Sequence, residues 1–186
     1  MRIDQLKDRL PDHARDLRMN LSVITSSTML TAQQAWGTAL TAAVMSRNAE
    51  VTAAIAADAQ LSPAAAAAAR GAAALMGMSN IYHRFQHVMG EDSAYTQLPA
   101  RLRMQLMGNP GVGHVDFALW CFAASVITGG DGCIRDREAT VRDHGGTIEQ
   151  VQDVVRIAAV IHAVAVTLDS APPEQEETYL TPAVAM

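Results

Sequence analysis

The sequence of 186 residues has little cysteine, few aromatic residues and no excess of basic residues. Its two cysteines, Cys121 and Cys133, exclude a small secreted fold held together by several disulfides. The formal net charge of −5 argues against nucleic-acid binding, because such proteins neutralise phosphates with clustered lysine and arginine. The hydrophobic fraction of 49% excludes intrinsic disorder.

Long hydrophobic runs are also missing. The longest apolar stretch, 117–127, covers about 11 residues, whereas a helix that spans a bilayer needs roughly 20. The N-terminal segment, Met1 to Asp8, is charged and lacks the apolar core of a signal peptide. We therefore expect a soluble, cytoplasmic protein without a membrane segment.

Alanine is abundant and is accompanied by 10 methionines, a composition that favours helices over strands. No segment alternates between apolar and polar residues as a half-buried strand does. The sequence therefore predicts an all-α fold in a single domain, 1–170, which could be divided into helical halves 1–90 and 100–170. The polar residues 171–186 are predicted to form a flexible tail.

Capping residues and prolines set the predicted helix limits. Capping boxes are predicted at Thr31 and Thr147, each with glutamine three residues later, and Ser62 followed by Pro63 is typical of a helix start. The predicted helices span 3–10, 13–27, 31–45, 48–58, 63–89, 100–107, 117–128, 133–144 and the stretch that follows Thr147.

Several segments, in order along nearly the whole chain, resemble the AhpD-type alkylhydroperoxidases of the carboxymuconolactone decarboxylase-like superfamily. The segments that carry the resemblance are 3–7, 16–22, 34–38, 71–80, 102–104, 109–111 and 119–120. The resemblance implies an all-helical protein that assembles as a homotrimer.

The resemblance also implies an active site, from which this sequence departs. The family uses a Cys-x-x-Cys pair with a histidine between the cysteines, a second histidine four residues beyond them, and a glutamate in the preceding helix. Here Gly130 replaces the first cysteine, Gly132 and Arg137 replace the histidines, and Ala118 replaces the glutamate. Of the five family residues, only Cys133 carries over.

Cys133 is predicted in the first turn of a helix, where the helix dipole and Arg137 favour a thiolate. Cys133 could therefore be the reactive thiol of a one-cysteine peroxidase. Alternatively, it is a cysteine inherited from the family that packs in the former active-site pocket without reacting. A disulfide with Cys121 would require the intervening helix to bend or end early. The other interpretation of Cys121 is a small buried hydrophobic residue.

Arg137 introduces a permanent cation that needs an anion. That anion could be Asp136, Glu138 or another protein carboxylate, or the carboxylate or enolate of a substrate. His162, near the apolar stripe of the last helix, is either a hydrogen-bonded core or interface residue or a general base in a pocket.

His83 and His87 share a helix face, a spacing that suits two metal ligands, but no third ligand is evident. Gly129 to Gly132 follow no strand and contain no lysine, so a phosphate loop is rejected. We expect neither a metal nor another cofactor.

Four of the five residues of the family's active site are replaced in this sequence. This pattern predicts an enzyme that has lost thiol redox chemistry. This cofactor-free lyase, isomerase or cyclase would act on a small anionic organic molecule. Its predicted catalytic residues are Cys133, Arg137 and His162, and its predicted pocket residues are Ala118, Trp120, Cys121, Gly130 and Gly132.

Two alternatives remain from the sequence. The first is a one-cysteine alkylhydroperoxidase that uses Cys133 in antioxidant defence, with a dihydrolipoamide-type reductant or a peroxiredoxin as partner. The second is a non-catalytic trimer that binds a ligand.

Overall fold

The computed structural model describes residues 2–90 and 92–170, and this part of the chain is helical and without strands. The prediction of an all-α fold is therefore confirmed. The α-helices are α1 (Arg2–Arg9), α2 (Arg15–Asn20), α3 (Val23–Ser26), α4 (Ala32–Ser46), α5 (Ala49–Asp58), α6 (Pro63–Met89), α7 (His114–Thr128), α8 (Asp131–Asp143) and α9 (Ile148–Ser170). Short 3-10 helices lie at Asp12–Ala14 and Gln105–Met107.

The core forms around α4 and α7. Helix α4 packs against α6, α7 and α9, while α7 also packs against α6, α8 and α9. Trp120 of α7 is fully buried, and its indole Nε1 donates a hydrogen bond to the carbonyl oxygen of Gln34 at 3.2 Å. A Cβ atom at Gly37 would overlap this indole, so the close approach of α4 and α7 depends on a glycine there.

The starts of α4, α6 and α9 follow the predicted capping residues Thr31, Ser62 and Thr147. The Thr31 hydroxyl accepts from the Gln34 backbone N–H at 3.2 Å, and the Thr31 backbone N–H donates to Gln34 Oε1 at 3.0 Å. Thr147 and Gln150 form the same reciprocal pair. Ser62 caps α6 through the Ala65 N–H. These bonds satisfy N–H groups that have no partner within the helix.

The predicted helix 13–27 is divided into the end of a 3-10 turn and the short helices α2 and α3, and the predicted helix 100–107 is wrong. At the break between α2 and α3, Ser22 Oγ donates to the Met19 carbonyl oxygen and Thr25 Oγ1 to the Ser22 carbonyl oxygen. In the segment 100–107, Arg101 has a φ of 50°, a left-handed conformation that a right-handed helix does not contain. Only the 3-10 turn Gln105–Met107 remains there.

Helices α7 and α8 begin earlier than predicted. Phe117 N–H donates to the Gly113 carbonyl, and Asp116 in the first turn of α7 accepts from the side-chain amides of Gln33 and Gln34, both at 2.7 Å. Helix α8 begins at Asp131 rather than at residue 133. Gly132 and Cys133 therefore both lie in its first turn.

Helix α9 is the one described helix that is long and apolar enough to cross a bilayer by length and composition. Val154, Ile157, Ala158 and Ile161 are buried, and the helix packs against α4 and α7. This is the arrangement of a core helix in a globular protein. The predicted flexible tail, 171–186, lies outside the described residues.

Candidate functional site

Helices α6, α7 and α8 meet at the buried side chain of Asn80. Its Nδ2 donates to Thr128 Oγ1, and its Oδ1 accepts from Ser125 Oγ, both at 3.1 Å. The sulfur of Cys133 lies 3.9 Å from the Asn80 carbonyl oxygen, a long and weak hydrogen bond. Helix α6 thus holds the end of α7 and the cysteine of α8 in place.

The first turn of α8 offers backbone N–H groups to a negative charge. Gly130 caps the helix and has no side chain to satisfy these groups. Cys133 is the third residue of the helix, so its sulfur lies at the positive end of the helix dipole. A thiolate or another anion is favoured at such a position.

A pocket of about 370 Å³ opens at this turn, and we refer to it as the Cys133 pocket. Its lining residues are Arg84, His87 and Val88 from α6 together with Gly130, Asp131, Gly132, Cys133 and Arg135. Arg84 and Arg135 form no ion pair among residues 2–90 and 92–170, and Asp131 is the one carboxylate that these residues contribute to the lining. The described lining residues therefore carry a net positive charge around a cysteine that is itself 4% exposed.

The two glycines of this pocket differ in the space beside them. A Cβ atom at Gly130 would have Arg84 Cγ as its nearest neighbour, at 3.9 Å, so room for a side chain remains. A Cβ atom at Gly132 would lie 2.7 Å from Cε1 of His87 and closer still to Nε2. The imidazole of His87 therefore occupies the space that a side chain at 132 would need.

Cys121 lies in a different environment. It is 1% exposed in the middle of α7, and burial raises the pKa of its thiol to about 12, partly offset by the positive charge of Arg137. Cys121 and Cys133 are both free thiols, and Cys121 does not line the Cys133 pocket. Ala118 and Trp120, also predicted as pocket residues, are buried in the same helix and are not in the lining.

Arg137 lies one turn beyond Cys133 and is half-buried. In the described part of the chain it forms no ion pair, with Asp136, Glu138 or any other carboxylate. Its charge acts on the Cys121 thiol behind the pocket.

The structure does not bring His162 to this site. The residue is exposed on α9, and its Nδ1 lies 3.1 Å from Ser46 Oγ of α4. It is absent from the lining of the Cys133 pocket. The sequence predicted Gly130, Gly132, Cys133 and His162 at one site. The structure brings the first three together and places His162 elsewhere.

Arg84 was not predicted at the site from the sequence, and His87 was considered only as half of a metal-binding pair. The contact between His87 and Gly132 could have been indicated by one pattern in the sequence. This pattern is a histidine in the last turn of α6 together with a glycine at 132. Finding it requires knowing that α6 ends beside the start of α8. No cluster of three metal-binding side chains exists among the described residues.

A larger pocket, about 450 Å³, lies between the segment 23–29 and the start of α9. Its lining contains no cysteine or histidine. Its buried carboxylate, Asp153, already accepts from Ser27 Oγ at 2.6 Å and from Arg156 at 2.8 Å. The reactive groups therefore concentrate at the Cys133 pocket.

Comparison with known proteins defines the class. Residues 93–173 match the model of the carboxymuconolactone decarboxylase family. The alkyl hydroperoxide reductase AhpD of Gluconacetobacter diazotrophicus is 50% identical over 173 residues, covering 92% of this chain and 94% of the relative. The proteins of the same name from Rhodospirillum centenum and Frankia alni are 49% and 46% identical, each over 172 residues, 91% of this chain and 92% of the relative. The chain belongs to the AhpD-type alkylhydroperoxidase family.

These relatives correct the main functional prediction. A non-redox lyase, isomerase or cyclase was favoured over a reductase because four of the five active-site residues of the family are replaced. Relatives that share about half of all residues over nearly the whole chain are named alkyl hydroperoxide reductases, which contradicts that prediction. Cys133, the family residue that carries over, is still present in this chain.

Proposed function

We propose that this protein reduces organic hydroperoxides and that Cys133 is the thiol that reacts with the peroxide. The proposal is carried by the position of Cys133 in the first turn of α8, at a pocket large enough for a small organic molecule. The names of the relatives support the same chemistry.

The reaction at Cys133 is a two-electron transfer. The thiolate attacks the terminal oxygen of the hydroperoxide, the O–O bond breaks, and an alkoxide leaves and is protonated to the alcohol. Cys133 is oxidised to a sulfenic acid while the peroxide is reduced. Two external thiol groups then return the cysteine to its reduced form, with release of one water and formation of one disulfide.

An external thiol is needed because the chain offers no second sulfur at the site. Gly130 removes one, and Cys121 is buried with a thiol pKa of about 12, which leaves almost no thiolate at neutral pH. A dihydrolipoamide-type dithiol supplies both electrons in our proposal. Electron transfer to a peroxiredoxin, which the family resemblance implies, stays a prediction.

The test is turnover of cumene hydroperoxide with dihydrolipoamide as reductant. Wild type, Cys133→Ser and Cys121→Ser are compared, the last as a matched loss of a thiol outside the pocket. We expect activity in wild type and in Cys121→Ser and none above buffer in Cys133→Ser. Equal activity in wild type and Cys133→Ser, or no activity in folded wild type, would contradict the proposal.

We also propose that the protein is a cytoplasmic homotrimer, as the resemblance implies. Large apolar side chains, among them Ile81, Phe85, Val88 and Leu98, are exposed near the end of α6 and in the segment after it. A cluster of such side chains is typical of a surface that another protein covers. Light scattering coupled to gel filtration measures the mass, and a monomer would contradict this proposal.

A further inference from the structure

The imidazole of His87 is a reactive group with no role in the reaction proposed above for Cys133. It projects from the last turn of α6 onto Gly132, the residue directly before Cys133. Both residues line the Cys133 pocket. Within the described part of the chain, no residue forms a hydrogen bond or ion pair with the ring, so its nitrogens are free to meet a bound molecule.

Glycine at 132 leaves the space in which this ring lies. Any side chain at 132 would overlap Nε2 and Cδ2 of the ring and would push the imidazole away from the first turn of α8. Glycine at 132 and histidine at 87 therefore form a complementary pair. The imidazole lies against the residue directly before the proposed reactive cysteine, and it lines the same pocket as that cysteine.

The proposed reaction needs a proton at this place. An alkoxide is a poor leaving group, so breaking the O–O bond is faster when an acid protonates the departing oxygen. Among the described residues of the lining, the charged or titratable ones besides His87 and Cys133 are Arg84, Asp131 and Arg135. A guanidinium does not release its protons in proteins, and a carboxylate accepts but does not donate. Imidazole is the side-chain type that transfers protons near neutral pH.

We propose that His87 donates the proton that the leaving alkoxide takes up, an inference that rests on the proposed reduction of hydroperoxides by Cys133. The thiolate sulfur bonds to the terminal oxygen, the electron pair of the O–O bond moves to the inner oxygen, and the imidazolium of His87 protonates that oxygen. The products are the Cys133 sulfenic acid, the alcohol and a neutral imidazole. Because His87 is exposed at the pocket, it regains a proton from solvent.

Two peroxides with different leaving groups test this role. Prereduced protein reacts in a single turnover with cumene hydroperoxide, which releases an alkoxide, or with peracetic acid, which releases acetate. Acetate leaves without a proton. We expect His87→Ala to slow the reaction with cumene hydroperoxide by about 100-fold, a usual contribution of one acid, and to leave the peracetic acid reaction little changed.

His83→Ala is the matched control, because His83 lies one turn earlier on the same helix and outside the lining of the Cys133 pocket. It should react with both peroxides as wild type does. Free imidazole in the buffer should restore part of the rate lost in His87→Ala. Alanine is the best helix former, so we expect both variants to keep helix α6. Circular dichroism of the helical signal checks that they are folded.

Failure of the proposed function and failure of the role of His87 give different results. If wild type itself does not reduce cumene hydroperoxide through Cys133, the proposed function fails. If wild type does so and His87→Ala matches it, only the role of His87 fails. An equal loss with cumene hydroperoxide and peracetic acid would also overturn the inference, since a proton donor to the leaving group must act on the alkoxide and not on acetate.

Discussion

The middle of α7 and the first turn of α8 each carry a cysteine, and the two regions are built in opposite ways. Around Cys121 the chain is closely packed, with Trp120 fully buried and its indole against Gly37. Around Cys133 the chain is rich in glycine and open to a pocket with unpaired arginines and an imidazole.

From this difference we infer that the surroundings, rather than the thiol itself, decide which cysteine reacts in the proposed function. Burial holds Cys121 in its neutral form, in which it serves as a small hydrophobic residue. At Cys133, a helix start and a pocket provide both a place for negative charge and a path for a substrate.

Alkaline pH should expose this contrast most strongly. Because burial raises the thiol pKa of Cys121 to about 12, the unfolded chain loses this proton at lower pH than the folded chain. The stabilising contribution is complete below about pH 9 and declines by about 1.4 kcal/mol per pH unit above it, until the folded thiol ionises. Urea unfolding at several pH values measures the slope.

Cys121→Ala is the control for this slope. The variant loses packing at all pH values but lacks the thiol that titrates, so its free energy of unfolding should fall less steeply above about pH 9. Parallel pH profiles for wild type and Cys121→Ala would contradict the assignment of a raised pKa to Cys121.

Packing in the α4–α7 contact should show the next largest effect. Gly37→Ala places a methyl group into the indole of Trp120, which is fully buried and has no room to move, so we expect a loss of about 3 kcal/mol. Gly77→Ala in α6 meets no atom within 4 Å and should instead stabilise by about 0.5–1 kcal/mol. Thermal or urea unfolding of both variants checks the opposite signs.

The open first turn of α8 should accept a second cysteine. Gly130→Cys meets only Arg84 Cγ at 3.9 Å and creates a pair spaced i, i+3 with Cys133. We expect oxidation to form a disulfide between them, seen as a loss of two thiols and about 2 kcal/mol of added stability. Gly132→Cys is the comparison, because its side chain would collide with His87. Two remaining free thiols at 130 and 133 after oxidation would show that the turn is less open than described.

Local chemistry allowed much of the fold to be predicted. Thr31 and Ser62 start their helices where expected, because capping depends on a few neighbouring residues. The predicted helix at 13–27 is divided between α2 and α3 at Leu21 and Ser22, a break that apolar spacing does not reveal.

The site was less accessible to sequence reasoning. Gly130, Gly132 and Cys133 are neighbours in the chain, so their grouping could be predicted. His87 is 45 positions from Gly132, and only the packing of α6 beside α8 brings its ring to that residue. Because the sequence does not show that contact, glycine at 132 indicated only the loss of a family histidine. This contributed to the wrong prediction of a non-redox enzyme.

Direct detection of the sulfenic acid tests the central claim that Cys133, and not Cys121, reacts with hydroperoxides. Prereduced protein is mixed with one equivalent of cumene hydroperoxide and dimedone, which captures sulfenic acids, and the peptides are analysed by mass spectrometry. We expect the dimedone adduct on Cys133 and an unmodified Cys121. An adduct on Cys121, or peroxide consumption without an adduct on Cys133, would contradict it.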